Sequence, residues 1–380
     1  MINSKVYNFT DISALLRFPL AVMIVMIHAH MLINVPCDEC ITKWGGVFSC
    51  DLSEYALYAD VSFIISEIIS RTAIYLFFFI SGFLFFYNIG SRFTISKYKS
   101  KLLRRVYSLL IPYLFWNALV ILLFYCVQTI TPGLTSGNNM FVSDWSCKEW
   151  LSAFWAYDNG HPINSPFWFI RDLMVVCLFS PVIYWLNRNN YGFLFVVILF
   201  LMWSWGCYSG IPGLNTDAFF FFSLGAFYST ERKDIINLCD RLLYLAITIA
   251  LFSIFIQLWA FNRGNLNNDY LDVLVFFCQR LGFMALMVLV IFTAGKFLES
   301  GADVNKLLNK SNFFIYAYHS VALGFLCRIR ERLIQPSNDI EALLIYFIQP
   351  TIIICLGVLI FMILNTYTPS FTKLITGSRQ

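Results

Sequence analysis

Apolar residues fill this chain in long blocks, separated by short polar or basic segments. The blocks fall at about 12–33, 69–89, 106–130, 166–186, 192–209, 216–230, 242–261, 271–294, 313–329 and 341–365. A helix needs about 20 apolar residues to cross a ~30 Å hydrocarbon core. The pattern therefore predicts an all-α, polytopic membrane protein with about ten transmembrane helices. The sixth and ninth blocks are the shortest. Residues 61–68 either extend the second helix or lie along the interface. No internal repeat at a fixed period is visible, which weighs against a transporter built from two related halves.

The polar segments orient the helices. SRFTISKYKSKLLRR at 91–105 gathers Arg92, Lys97, Lys99, Lys101, Arg104 and Arg105 in one short connection. The positive-inside rule places it in the cytoplasm, and counting outward puts both termini there too. The basic connections at 231–241 and 295–312 fall on the same side, whereas RIRERL at 328–333 falls on the other. Two long connections, 34–60 and 131–165, face outward and are rich in Trp, Asn, Ser, Asp and Gly. They are the expected walls of an external site. The first block is longer than a signal-peptide core of about 7–15 residues and carries Arg17, so it reads as a retained helix.

Composition narrows the class further. Only 13% of residues are charged and 59% are hydrophobic, against about 25% charged in soluble domains. The chain reads as one integral-membrane domain over 1–380, resident in the cell membrane with lipid as its surroundings. No basic run resembles a nucleic-acid site. Of 11 cysteines, Cys37, Cys40, Cys50 and Cys147 fall in the outward connections. A disulfide among them, or a free pair, is expected ahead of a metal site, because Cys37-x-x-Cys40 has no partner pair. No metal-ligand set is predicted, and the sequence leaves the oligomeric state open.

The first block carries the candidate chemistry. Arg17 and His28 are eleven residues apart. Eleven steps of roughly 100° make three turns plus roughly 20°, so both lie on one helix face, roughly 16 Å apart in depth. His30 lies about 200° around from His28 and points elsewhere. Ionisable groups within a span usually face a cavity or a partner. Arg17, near the cytoplasmic end, suits a phosphate-bearing ligand. His28, past mid-depth, suits a general base near neutral pH. A long activated donor such as acyl-CoA fits that spacing, with phosphates near Arg17 and a thioester near His28. Lys101, Arg104 and Arg105 are candidate donor contacts at the cytoplasmic mouth.

Other polar residues are weighed in the same way. Arg171 and Asp172 are neighbours, so on a helix they do not face each other and are expected to meet groups on other spans. His319, behind an aromatic run, suits a cavity wall. Glu67 and Arg71 have the i,i+4 spacing of a structural ion pair, and Ser81-Gly82 suits close helix packing. Asp158 and His161 read as part of a solvated loop. Trp145, Trp150, Trp155 and Trp168 fit an interfacial aromatic belt as well as platforms for sugar rings.

The Arg17-x10-His28 pair, with FFFISGFLFF at 77–86, resembles the acyltransferase-3 family of integral-membrane O-acyltransferases. KLLRRVYSLLIPYLFWN (101–117), PFWFIRDLMVVCLFSP (166–181), FFFFSLGAFYS (219–229) and FFIYAYHS (313–320) resemble later family segments in the same order. The basic loop reads Lys101-x-x-Arg104 where the family pattern often has Arg at both ends. The resemblance implies transfer of an acyl group, most often acetyl from acetyl-CoA, to a hydroxyl of an extracytoplasmic glycan or glycolipid, with no tightly bound cofactor. It implies that His28 is the catalytic histidine, as base or acyl carrier, and Arg17 its partner. Arg171, Asp172 and His319 fall in family-like segments as supporting candidates. A transporter or lipid-linked-glycan flippase would also use Arg17, Arg171 and His319. Consumption of acyl-CoA separates the two readings.

Overall fold

Backbone polar groups in hydrocarbon must be satisfied within the segment itself, which makes helices the natural product of these apolar blocks. The computed structural model of the protein describes residues 7–29, 55–89, 93–130, 140–188, 191–231, 233–263 and 269–377. His30, Cys37, Cys40, Cys50 and Arg92 lie outside the described residues. Cys147 is exposed and unpaired among the described residues.

Thirteen α-helices follow in order among the described residues. They are α1 (Phe9–Ala29), α2 (Ala56–Phe86), α3 (Ile95–Ile130), α4 (Cys147–Trp155), α5 (Trp168–Leu178), α6 (Ser180–Arg188), α7 (Gly192–Ser204), α8 (Thr216–Thr230), α9 (Ile235–Arg263), α10 (Asp269–Glu299), α11 (Lys306–Leu333), α12 (Asp339–Tyr367) and α13 (Pro369–Thr376). Among the described residues, each of the ten apolar blocks lies mostly in a helix or a bent helix pair. Six helices (α1, α2, α3, α9, α10 and α12) are long and apolar enough to cross a membrane. A seventh crossing is formed if the 59° bend between Ser165–Leu178 and Ser180–Arg188 joins one span. Helices α7 and α8, with 13 and 15 residues, reach only about 20–22 Å at 1.5 Å per residue. They are short against the hydrocarbon thickness.

Residues 61–68 lengthen the second helix. Phe63–Ser70 is a π-helical stretch inside α2. Ser66, Glu67 and Ser70 within it are all buried. Such segments are frequent at functional sites.

Two sets of contacts define the ends of the bundle. At the end bearing the basic segments, the Tyr7 hydroxyl donates to Glu299 at 2.9 Å, joining the start of α1 to the end of α10. At the opposite end, the Tyr58 amide donates to Asp339 at 2.8 Å and Asn262 to Asp60 at 2.9 Å. RIRERL also lies there, with Arg330 buried and 3.7 Å from Glu331.

The core is aromatic. Phe78, Phe79 and Phe86 of α2 meet Phe220, Phe221 and Phe222 of α8, all fully buried. The close approach depends on two glycines. A Cβ on Gly82 would overlap the Phe222 carbonyl, and one on Gly225 would overlap the Phe79 carbonyl. The helices are thus notched into each other, as the Ser81-Gly82 pair suggests. Gly82→Leu or Gly225→Leu is expected to destabilise the protein by at least about 1–3 kcal/mol, the usual cost of overpacking. Ser81→Ala should be tolerated. Thermal unfolding in detergent, followed by size exclusion, checks both.

Candidate active site

The two faces predicted for α1 and α11 meet. The imidazole rings of His28 and His319 lie 5.1 Å apart at 46°. They come from opposite ends of the sequence, brought together because α1 packs along α11. His28 is half-buried, and His319 is 0% exposed. The His319 Nδ1 lies 2.7 Å from the Tyr316 carbonyl. A carbonyl only accepts, so Nδ1 carries the proton in this bond, and in the neutral ring Nε2 is a bare acceptor. That Nε2 is buried with no hydrogen-bond partner among the described residues. The arrangement offers a fixed acceptor beside His28, deep in an apolar bundle.

Arg17 is half-buried on the same helix and has no hydrogen bond or ion pair among the described residues. Pro19 follows it inside α1, where a missing N–H removes one helical hydrogen bond. The π segment of α2 packs along the other side of α1. The Ser66 hydroxyl donates to the Met26 carbonyl at 2.6 Å and lies 2.8 Å from the Tyr346 hydroxyl. Glu67 and Arg71 pair at 2.5 Å, as their spacing predicts.

The segment leading into α5 does not behave as the solvated loop expected from its polar composition. After the exposed turn at 157–161, residues 162–167 enter the bundle. Ala153, Ile163, Asn164 and Phe167 are buried, and His161 is half-buried, although Asp158 is exposed. The Asn164 amide N–H donates to Asn117 Oδ1 at 3.1 Å, and its side chain donates to the Ala317 carbonyl at 3.1 Å. The Tyr316 hydroxyl donates to the Pro166 carbonyl at 2.5 Å, and its ring stacks on Phe167 at 5.7 Å and 2°. Tyr113 donates to the Phe154 carbonyl. This irregular backbone is held at depth by side chains from α3 and α11, the condition under which such backbone is tolerated in a membrane.

Arg171 and Asp172 correct the expectation that neighbours do not meet. Arg171 donates from Nε to Asp172 Oδ1 at 2.9 Å, and its Nη2 lies 2.9 Å from the same oxygen. The long guanidinium arm folds back along the helix, overriding the divergence of the Cα–Cβ directions. Arg171 Nη1 donates to the Trp155 and Gly160 carbonyls at 2.6 and 2.5 Å. One guanidinium thus fastens the inserted segment to α5. Burial, and secondly the Arg171 charge, hold the His161 imidazole below its ordinary pKa, with Asp158 partly offsetting them. His161 is accordingly neutral at pH 7.

The basic residues are distributed differently. Lys101 and Arg105 lie over the Phe85 ring at 5.3 and 5.6 Å. Arg104 is exposed and reaches Ser100 at 3.4 Å. A cavity of about 860 Å³ opens at the same end of the bundle, with Tyr7, Tyr87, Tyr184, Arg188, Tyr228 and Lys233 in its lining. Arg17, Lys101, Arg104 and Arg105 do not line it. A half-buried ion-pair cluster is a further finding. Arg280 lies 3.6 Å from Asp217 and donates to the Tyr75 hydroxyl at 3.2 Å, with its guanidinium over Trp203 and Phe276 at 4.8 and 4.6 Å. A charge within each of two apolar blocks was the available signal.

A family model described as an acyltransferase domain matches residues 13–368. The chain belongs to the acyltransferase-3 family. The match contains both histidines, Arg17 and the basic loop. A further similarity is to the succinoglycan biosynthesis protein ExoH of Rhizobium meliloti (strain 1021), 26% identical over 160 residues. That alignment takes in 42% of this chain and 40% of the relative, so the two are matched over less than half of either length. No solved structure matches the chain.

In this acyltransferase-3 protein the Arg171–Asp172 pair carries a stability prediction. Arg171→Met leaves Asp172 buried without its cation and is expected to cost about 3–5 kcal/mol. Replacing both, as Arg171→Met with Asp172→Leu, should recover part of that loss. Thermal unfolding of the purified variants in detergent reads both outcomes.

Proposed function

We propose that this protein is a membrane O-acyltransferase that moves an acyl group, acetyl by the family expectation, from acyl-CoA at the basic end of the bundle to a glycan hydroxyl at the other. The observation that carries the proposal is the His28–His319 pair, with His28 on the α1 face shared with Arg17 and His319 buried on α11, in a chain of this family. The cell membrane is the expected location, with the basic end in the cytoplasm. The name of ExoH, a succinoglycan biosynthesis protein, supports a polysaccharide as the class of acceptor.

Arg17 binds donor phosphate as a fork, which a point charge reproduces only in part. His28 acts by one of two routes. As a general base, it takes the proton of the acceptor hydroxyl while the oxygen attacks the thioester carbonyl. The tetrahedral intermediate then expels the CoA thiolate, which takes up the proton from His28. As a nucleophile, its imidazole nitrogen forms an acyl–nitrogen bond as the carbon–sulfur bond breaks and the ring proton passes to the CoA thiolate; the acceptor oxygen then displaces the ring, which takes up the hydroxyl proton. In both routes His319 is a positioning residue. Its Nδ1–H is committed to the Tyr316 carbonyl, so its Nε2 can hold the His28 ring by accepting a hydrogen bond.

His28→Ala is expected to lower acyl transfer by about 10²–10⁴-fold at unchanged protein level. His319→Gln should lower it less and move a limb of the pH–rate profile, a change that a packing defect does not produce. Arg17→Ala should raise the acyl-CoA KM, with partial rescue by Arg17→Lys. The assay is acetyl transfer from labelled acetyl-CoA in membranes. Full transfer by a well-expressed His28→Ala removes the histidine from the mechanism, and intact acetyl-CoA in the wild type favours a flippase.

Orientation has its own test. Ser96 and Ser143 are both exposed, near opposite ends of the bundle. In a background with the native cysteines replaced by serine, impermeant thiol reagents applied to intact cells should label Ser143→Cys and spare Ser96→Cys. The reverse pattern inverts the topology.

A further inference from the structure

A second, smaller cavity of about 160 Å³ opens between the turn at 157–161 and the loop at 206–215. It lies at the end of the bundle opposite the basic loops, where α7 ends and α8 begins. Its rim is exposed: Tyr208 is 71% and Ile211 56% accessible. Its floor is not, since Arg171 is 3% and Asp172 1% accessible. Asn159, His161, Trp168 and Asn215 complete the walls.

Both loops are locked in place. Asp158 and His161 form an isolated antiparallel bridge, and the two residues between them, Asn159 and Gly160, have φ of 46° and 77°. That is the Asn-Gly two-residue turn, which requires positive φ at both central positions. The Trp155 ring lies 5.6 Å from the Arg171 guanidinium and touches Gly213, where a Cβ would come within 3.0 Å of it. One indole therefore joins the turn, the floor and the second loop. A cavity so fastened is formed before any ligand arrives.

Its chemistry selects the ligand. The floor holds one cation and one anion that already neutralise each other at 2.9 Å, so the cavity does not call for a charged group. Asn159 offers both donors and acceptors, and His161, whose Nδ1 faces the Ser165 hydroxyl at 3.0 Å, leaves Nε2 to a ligand, while the Asn215 Oδ1 already accepts from the Asp217 N–H at 3.0 Å. Trp168, Tyr208, Ile211 and Pro212 offer apolar surface. Polar edges beside apolar faces match a ring with equatorial hydroxyls and axial C–H groups. The volume falls below the ~300–1,000 Å³ of drug-sized sites and suits one ring rather than several. A run of ring contacts leads from the cavity wall toward the histidine pair. Trp168 lies 6.3 Å from Phe169, Phe169 lies 6.4 Å from Tyr316, and Tyr316 lies 6.0 Å from His319.

We propose that this cavity is a subsite for one uncharged sugar ring of the acceptor, distinct from the ring that is acylated. The proposal rests on the acyltransferase reading above and fixes where the acceptor is held. Asn159 and Tyr208 set specificity here, and His28 does not touch this ring.

The test uses the full chain in detergent, with methyl glucopyranoside and methyl galactopyranoside as probes in saturation-transfer NMR. Saturation of at least one probe is expected in the wild type and equally in His28→Ala. Tyr208→Ala and Asn159→Gly should each weaken it about tenfold. Tyr208 is exposed, and glycine keeps the positive φ at 159, so neither change threatens the fold. In the transfer assay the same two variants should raise the acceptor KM about tenfold while the acetyl-CoA KM stays within twofold. Probe binding that Tyr208→Ala abolishes, in a protein that transfers no acyl group, upholds the sugar site and defeats the enzyme assignment. Acyl transfer with unchanged acceptor KM in both variants, or no probe saturation in the wild type, overturns the subsite.

Discussion

The Arg171 guanidinium is the pin on which the interior of this bundle depends. Its five N–H donors serve a carboxylate and two backbone carbonyls at once, and those carbonyls belong to the chain segment that leaves α4 and enters the bundle. The guanidinium ties the exposed turn at 157–161 to α5 and so anchors the buried backbone of 162–167 that follows. With it, Asn164 can cap Ala317, Pro166 can receive the Tyr316 hydroxyl, and Phe167 can stack on the Tyr316 ring. Tyr316 in turn offers the carbonyl that fixes His319. The orientation of a buried imidazole on α11 is thereby linked to a salt bridge on α5.

The other side of α1 is organised by a change in helical winding. Within the π stretch of α2, Ser66 and Glu67 are both buried. Ser66 ties to α1 and to Tyr346, while Glu67 holds Arg71. His28 therefore lies on a helix braced from two directions, by α11 and by the π segment. Bracing of this kind is what a reactive group needs, because a small displacement of a catalytic side chain sacrifices much of its advantage.

Helix positions were legible because hydrophobic blocks of spanning length have few alternatives in a chain with this composition. The shared face of Arg17 and His28 was legible for the same reason, since helical geometry alone fixes it. The partnership of His28 with His319 was not, because nearly three hundred residues separate them and only the packing of α1 on α11 joins them. The 131–165 connection was misread at its end. Its polar composition resembles a solvated loop, and the signal that it enters the bundle lies in long-range hydrogen bonds to Asn117, Tyr113 and Ala317. The Arg171–Asp172 contact was missed because Cβ directions were weighed and side-chain reach was not. Asp217 and Arg280 lie on α8 and α10, so their pairing was equally invisible to local spacing.

The glycine notches in α2 and α8 have a mechanical consequence. Two helices whose backbones sit in each other's grooves cannot slide or rock past one another without first separating, so this pair moves as a single rigid strut. Any motion of the bundle must therefore hinge at other helix contacts, with α2 and α8 carried along as one body.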